Sequence, residues 1–434
     1  MSKVVAWTKR TQAAFGISKV LIEPQRWLAS GAQKCERLLT QARHQELQLL
    51  CQRLYQASSI RQKQLDKTGQ KALFYLAKSH YYQGDWEQTA ATLDRLFHYE
   101  PWLADARYLA ADSARLAGDK AAAWQHLEQL YPHSKRLKTW LYMAELVQTP
   151  GEWAAMQGYV RHAQQLHCAP TYHLSLADYL AKGAQRGGDF AQATQQWQDT
   201  LARVSAQRMP RSLRPPRRVD FSVVNASEAL KDVKNALESA GIPMFLVSGT
   251  LLGCVRNGGL LGHDHDIDIG IWDDVSPERL IEVTSQAGMF HLLPQRHKGC
   301  LRVKHLNGIA IDIFTHYREP TTYWHGGVKV RWHNVPFELA SRKFLGQHYL
   351  IPADFDTYLT ENYGDWRVAQ HTFDSTLDTP NAEILCEREL VIHAYQQCYR
   401  AMLKGRAPLI ERYRKLLTEL NQTDPLPAFR HTNM

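Results

Sequence analysis

The stretch MFLVSGTLLGCVRNGGLLGHDHDIDIGIWDD, residues 244–274, decides the architecture of the second half of the chain. Residues 244–247 form a short apolar run suited to a strand, and Ser248-Gly249-Thr250 is a tight turn into a short helix over 251–256. Free backbone N–H groups at such a helix start favour phosphate oxygens. Further on, Asp266-Ile267-Asp268-Ile269 alternates strictly. On a strand both carboxylates then point to one face and both isoleucines to the other. Two acids side by side repel, and the arrangement is costly unless a cation sits between them.

A second alternating strand is expected downstream in Gly308-Ile309-Ala310-Ile311-Asp312-Ile313-Phe314. If the two strands share a sheet, Asp266, Asp268 and Asp312 converge opposite the Ser248–Thr250 turn. Three strand-borne carboxylates facing such a turn suit metal-assisted phosphoryl or nucleotidyl-type transfer. Asp266 and Asp268 would bind Mg²⁺ or Mn²⁺, and Asp312 would share a metal or accept the proton of an attacking hydroxyl. Arg302 and Lys304 alternate on a further strand over 301–306 and are candidates to face phosphate.

These residues carry a family resemblance. SGTLLG-x-x-R, then D-I-D-I-G and I-D-I-F, resembles the LicD/fukutin family of the nucleotidyltransferase superfamily. Further landmarks are Tyr323-Trp324-His325-Gly326-Gly327, Val335-Pro336, Tyr358-Leu359 and Glu361-Asn362-Tyr363-Gly364-Asp365-Trp366, so the likeness runs in order through residues 221–370. It implies a nucleotidyltransferase-like mixed-sheet α/β domain. The implied activity moves a phosphorylated alcohol, such as ribitol, glycerol or choline phosphate, from a CDP-activated donor to a glycan hydroxyl, releasing CMP. By the resemblance Asp266 and Asp268 are the metal pair, Asp312 the third acid, Ser248, Gly249 and Thr250 the donor-phosphate turn, and Arg256 a phosphate-steadying base. The chain departs from the family where P-W-D-D is common: it has Gly262-His263-Asp264-His265. His265 replaces an acid, which leaves Asp264 outside the ligand shell. His263 and His265 invite a zinc reading, but no third histidine has a place beside them.

Upstream of this domain, RVSAQRMPRSLRPPRRVD at 203–220 holds six Arg and three Pro, the composition of an exposed basic linker. Before it, Gly84-Asp85-Trp86, Gly118-Asp119, Gly151-Glu152-Trp153 and Gly188-Asp189-Phe190 recur at intervals of 34, 33 and 37 residues. Each is flanked by apolar spacing near 3.6, so the pattern reads as helix, glycine turn, helix. The glycine permits a positive φ and the acid after it caps the next helix. The period resembles tetratricopeptide repeats, and the tryptophans Trp86, Trp102, Trp124, Trp140, Trp153 and Trp197 are expected in the interhelical core.

The expected organisation is therefore an N-terminal α-helical repeat array at 1–202, the linker at 203–220, and a catalytic domain with C-terminal helices at 221–434. The chain has 434 residues, 44% of them hydrophobic and 22% charged, a globular composition. No run approaches the ~18 apolar residues of a membrane span, and the N-terminus lacks the apolar core of a signal peptide. Seven scattered Cys without C-x-x-C argue against a disulfide framework. The expectation is a cytoplasmic enzyme of bacterial cell-surface polysaccharide assembly, at most peripheral at the inner face of the membrane. The net charge of +9 suits a glycan or phosphodiester polymer acceptor, and the absence of aromatics among the linker arginines argues against nucleic acid. The repeats would dock the acceptor or a protein partner. Two alternatives share these residues: transfer of NMP to another acceptor, and a repeat-based adaptor with an inactive catalytic domain.

Overall fold

The computed structural model describes residues 24–59, 65–206, 222–262, 266–370 and 372–423. The chain gathers into two compact units, Met1–Gly118 and Asp119–Met434. Together the described residues are mixed α/β, with a helical N-terminal region and one large mixed sheet.

The first unit contains α1 (Pro24–Thr40), α2 (His44–Ser59), α3 (Lys67–Tyr82), α4 (Trp86–Phe97) and α5 (Ala104–Leu116). Leu73, Ala77 and Tyr81 of α3 pack against Leu93 and Leu96 of α4, and all five are buried. Between these helices Gly84 takes φ 71°, and Asp85 accepts from the Gln88 N–H at 3.0 Å to cap α4. A glycine turn followed by an aspartate cap recurs at Gly118 (φ 86°) with Asp119, and at Gly188 (φ 83°) with Asp189. Each short motif thus supplies both the left-handed turn and the first helical hydrogen bond.

The second unit opens with α6 (Lys120–Leu130), α7 (Lys138–Leu146), α8 (Pro150–Gln165), α9 (Leu174–Arg186) and α10 (Phe190–Ala206). Gly151 does not make the turn expected of it. It lies in the first turn of α8, behind Pro150, where Thr149 and Glu152 form a capping box. The helix α10 runs through Ala206, into the segment expected to be linker, because Val204 is buried and Arg203 stacks on Tyr172 at 4.4 Å. The rest of that segment, 207–220, is outside the described residues. Trp140, Trp153 and Trp197 are core residues as expected, whereas Trp102 in the first unit is exposed.

Next come α11 (Val223–Ser239), β1 (Phe245–Leu246), α12 (Ser248–Leu252), β2 (Asp266–Trp272), α13 (Pro277–Gln286), β3 (Phe290–Leu292), β4 (Cys300–His305) and β5 (Ala310–Arg318). They are followed by β6 (Tyr323–Gly326), β7 (Val330–Asn334), β8 (Leu339–Phe344), β9 (Gln347–Pro352), α14 (Phe355–Tyr363), β10 (Ala382–Ile384), α15 (Glu387–Leu403) and α16 (Ala407–Glu419). Residues 372–386, expected to be helical, form a loop and the edge strand β10 instead.

The strands run in the order β10-β7-β6-β5-β2-β1-β9-β8, with β4 also on β5 and β3 on β4. Parallel pairing of β2 with β5 sets Ile267 against Ile311 and Ile269 against Ile313, all fully buried. Leu230, Val233 and Leu237 of α11 are equally buried. Each such side chain contributes roughly 1.5–3 kcal/mol by leaving water, which fixes register: a slip of one residue would drive the acids into this core. The first half of β5 lies between β2 and β4, and its end turns onto β6 through Tyr317–Trp324 and Arg318–Tyr323. The helices of 120–206 meet this domain at α15: Gln185 donates to Glu389 at 2.6 Å and Gln198 to the Tyr395 hydroxyl at 2.8 Å. No helix among the described residues is long and apolar enough to cross a membrane.

Candidate active site

The same register that buries the isoleucines lifts the acids to the opposite face. Asp268 lies directly across from Asp312, and Asp266 is two residues along on the same side of β2. All three line a cavity of about 440 Å³ together with Ser248, Gly249 and Arg256. The far wall is aromatic, with Phe314, Trp332, Trp366 and Phe373, and carries His325.

The Ser248–Thr250 turn is bolted to the acid strand. The Gly249 N–H donates to Asp268 Oδ2 at 3.2 Å, and the Asp268 N–H donates to Thr250 Oγ1 at 2.9 Å. The helix start expected to greet phosphate thus already holds a carboxylate. Thr250, 1% exposed, is spent on the backbone of β2 and stays off the cavity wall, while Ser248 and Gly249 line it. Ser248 has φ 48°, a left-handed conformation that costs a non-glycine residue roughly 1–2 kcal/mol. The helix expected over 251–256 begins earlier, at Ser248, and widens into a π-turn over Gly253–Asn257.

Arg256, at that π-turn, donates through Nη1 to the Trp366 carbonyl at 3.1 Å and through Nε to Asn257 Oδ1 at 3.0 Å. It both reaches the cavity and ties the 364–370 segment to the turn. Gly364 (φ 65°) ends α14 and throws that segment over the site. His263, Asp264 and His265 lie outside the described residues.

Arg302 reaches the face from β4, where it stands opposite Asp312, and its Nε donates to Asp312 Oδ1 at 3.0 Å. It is therefore engaged by a carboxylate, which leaves Asp312 Oδ2 without a partner among the described residues. Burial pushes the Asp312 carboxyl up from its ordinary range, with Arg302 pulling the other way and Asp266 adding to the rise. Burial and the same acids raise the neighbouring Cys300 thiol, so it stays protonated. His316 and His325 stack at 4.3 Å. Burial forces both down, His316 to about 3, so both are neutral, with His316 Nε2 and His325 Nδ1 buried and unpartnered.

Among the described residues, no three His, Cys, Asp or Glu side chains stand close enough to hold a metal ion alone. The donor chemistry nevertheless fits a hard divalent cation. Mg²⁺ is commonly held by one or two carboxylates, with phosphate oxygens and water completing its shell. Asp266, which accepts no hydrogen bond among the described residues, and Asp268 supply such a pair on one strand face.

Phe314, Asn362 and Trp366 stand within the landmark motifs, but nothing in the sequence marks them, or Trp332, Phe373, Ser375 and Thr379, as one cavity lining. These come from β5, β7, α14 and the 365–379 loop, which only the fold brings together. The one legible hint was Gly364-Asp365-Trp366, a helix-ending glycine before an aromatic.

Residues 241–354 match the family described as LicD/FKTN/FKRP, nucleotidyltransferase domain. The chain is 30% identical over 173 residues to the ribitol-5-phosphate transferase FKTN of Mus musculus, covering 36% of each chain. The Homo sapiens protein of the same name is 27% identical, covering 37% of each. An uncharacterized protein of Rickettsia prowazekii, RP689, is 24% identical over 149 residues, 32% of this chain and 54% of that one. The likeness therefore spans little more than a third of the length of the FKTN relatives.

Proposed function

We propose that this chain transfers a phosphorylated alcohol from a CDP-activated donor to a hydroxyl of a glycan, releasing CMP. The observation that carries the reading is the placement of Asp266, Asp268 and Asp312 on one face of β2 and β5, inside the cavity that Ser248, Gly249 and Arg256 also line. The likeness to ribitol-phosphate transferases supports the donor class, and ribitol phosphate is the first alcohol to try.

In this reading Asp266 and Asp268 hold Mg²⁺ or Mn²⁺, which would neutralise the donor diphosphate and the departing phosphate. The Ser248-Gly249 turn and Arg256 orient the donor. The acceptor hydroxyl attacks the phosphorus that carries the alcohol. A P–O bond forms there as the bond to the bridging oxygen breaks, and the electron pair leaves on CMP. The hydroxyl proton passes to Asp312 Oδ2, whose partner oxygen stays anchored by Arg302. A carboxyl raised by burial is the better base for this step. The glycine-turn hairpins are tetratricopeptide-like in this reading and serve to dock the acceptor or an assembly partner.

The test is CMP release from a panel of CDP-alcohols with Mg²⁺ or Mn²⁺, with glycan fractions as acceptors. Metal-dependent release that disappears in Asp266→Asn is the expected result. Pyrophosphate release from a nucleoside triphosphate instead would assign the site to NMP transfer. No turnover with any donor would leave the helical hairpins as the working part.

A further inference from the structure

Behind the aromatic wall lies a second cavity, of about 540 Å³, that shares Phe373 and Ser375 with the first. It is enclosed by the 372–376 loop, α15 and α16. Lys329 Nζ donates to His393 Nδ1 at 2.9 Å, His393 Nε2 donates to Asp374 Oδ2 at 2.8 Å, and the Tyr413 hydroxyl donates to that oxygen at 2.7 Å. Asp374 Oδ1 accepts the Thr376 N–H at 2.9 Å. Asp374 is the one carboxylate on the lining, and both its oxygens are committed.

Arg400, Lys404 and Arg406 stand exposed on the same lining, joined by the amides of Gln396 and Gln397. Arg400 and Arg406 form no ion pair among the described residues. Burial lowers Lys329 to about 8, despite the attraction of Asp374 and Glu389. Arg400 and Arg406, with Lys329 behind them, thus border a polar hollow whose only acid among the described residues already serves three donors. Guanidinium groups gathered beside a polar hollow attract anions, and amides with guanidinium donors match phosphate oxygens.

We propose that this groove is a second binding site, for a phosphate monoester or diester borne by the acceptor glycan, set against the transfer cavity through Phe373 and Ser375. Phosphate binding stands on the groove alone; assigning the phosphate to the acceptor rests on the transferase reading above.

The experiment titrates the full chain with inorganic phosphate, CDP, a phosphorylated oligosaccharide and its neutral counterpart, by calorimetry. It compares wild type with Lys404→Gln/Arg406→Gln and with the triple variant adding Arg400→Gln. The double variant changes only exposed side chains and keeps the fold testable. The expected result is phosphorylated oligosaccharide binding at least tenfold tighter than the neutral one, weakened at least tenfold in the triple variant, with CDP affinity unchanged. In turnover, KM for the phosphorylated acceptor rises while kcat holds. Inorganic phosphate bound and lost in the variants, without preference for the phosphorylated oligosaccharide, overturns the acceptor assignment. Wild type that binds no phosphate overturns the site, and equal loss of CDP affinity makes the groove part of the donor pocket. Phosphate binding without any CMP release sinks the transferase reading and leaves the groove standing.

Discussion

Thr250 and Asp268 are locked in a reciprocal arrangement. The Asp268 N–H donates to the buried Thr250 hydroxyl, and one residue before Thr250 the Gly249 N–H returns a hydrogen bond to the Asp268 carboxylate. Thr250→Val keeps the shape and removes the acceptor. It should cost about 1–3 kcal/mol, since a buried N–H is left unsatisfied, and should lower CMP release with it. Thr250→Ser should restore both. A valine variant with wild-type melting and turnover would show that the bond positions nothing.

The two acids of β2 should separate in stability though not in activity. Asp266→Asn and Asp268→Asn are both expected to lose turnover by at least about a hundredfold, the order seen when an electrostatic catalytic group is removed. Asp266 accepts no hydrogen bond among the described residues, so its loss should leave the melting temperature unchanged or slightly higher. Asp268 anchors Gly249, and its replacement should lower the melting temperature. Thermal unfolding beside the CMP assay reads both.

Gly270 is a packing requirement. A Cβ there would sit 2.4 Å from Phe245 Cε2 and 2.9 Å from His316 Cε1. Both rings are held by aromatic neighbours, among them Trp272 at 4.7 Å from Phe245. Gly270→Ala should therefore destabilise by about 1–3 kcal/mol, measured by denaturant unfolding.

Acid should weaken the second unit through Asp374 and His393. Burial opposes the Asp374 charge, but His393, Tyr413 and the Thr376 N–H outweigh it and hold the carboxyl below its usual range. Burial lowers His393 as well, with Asp374 pulling back. In both cases the unfolded chain takes up protons more readily, so stability rises with pH and is lost as pH falls. The loss begins near the unfolded histidine value of about 6.5 and continues below the unfolded aspartate value of about 3.9. Asp374→Asn should be less stable at pH 7 and show a shallower decline from pH 5 to pH 3. An identical slope in the two proteins would contradict this account.

Strict alternation made the acid face legible before any coordinates. Asp266, Asp268 and Asp312 needed only a period of two and a shared sheet, and the buried isoleucines between them fixed the register. The glycine-aspartate turns were legible for the same reason, a local conformation written in two residues. Gly151 misled because a proline and a capping box nearby made a helix start of what resembled a turn. The role of Thr250 was hidden because a hydroxyl facing a phosphate and one facing a neighbouring strand read alike in sequence. Arg302 was expected, with Lys304, to face phosphate; its pairing with Asp312 instead depends on β4 lying antiparallel to β5. The cavity wall was the least legible part, since Phe314, Trp332, and the pair Trp366 and Phe373 come from two strands and a loop far apart in sequence.

The turn of β5 onto β6 gives the large sheet a modular seam. The acids sit on strands pinned by the isoleucine core, whereas His325 and Trp332 hang from a ribbon joined to β5 by just two residue pairs. Lengthening or exchanging residues 319–334 would reshape what the cavity admits while sparing the face that carries Asp266, Asp268 and Asp312. Substrate range could thus diversify by grafting this ribbon, a change the isoleucine core would scarcely register.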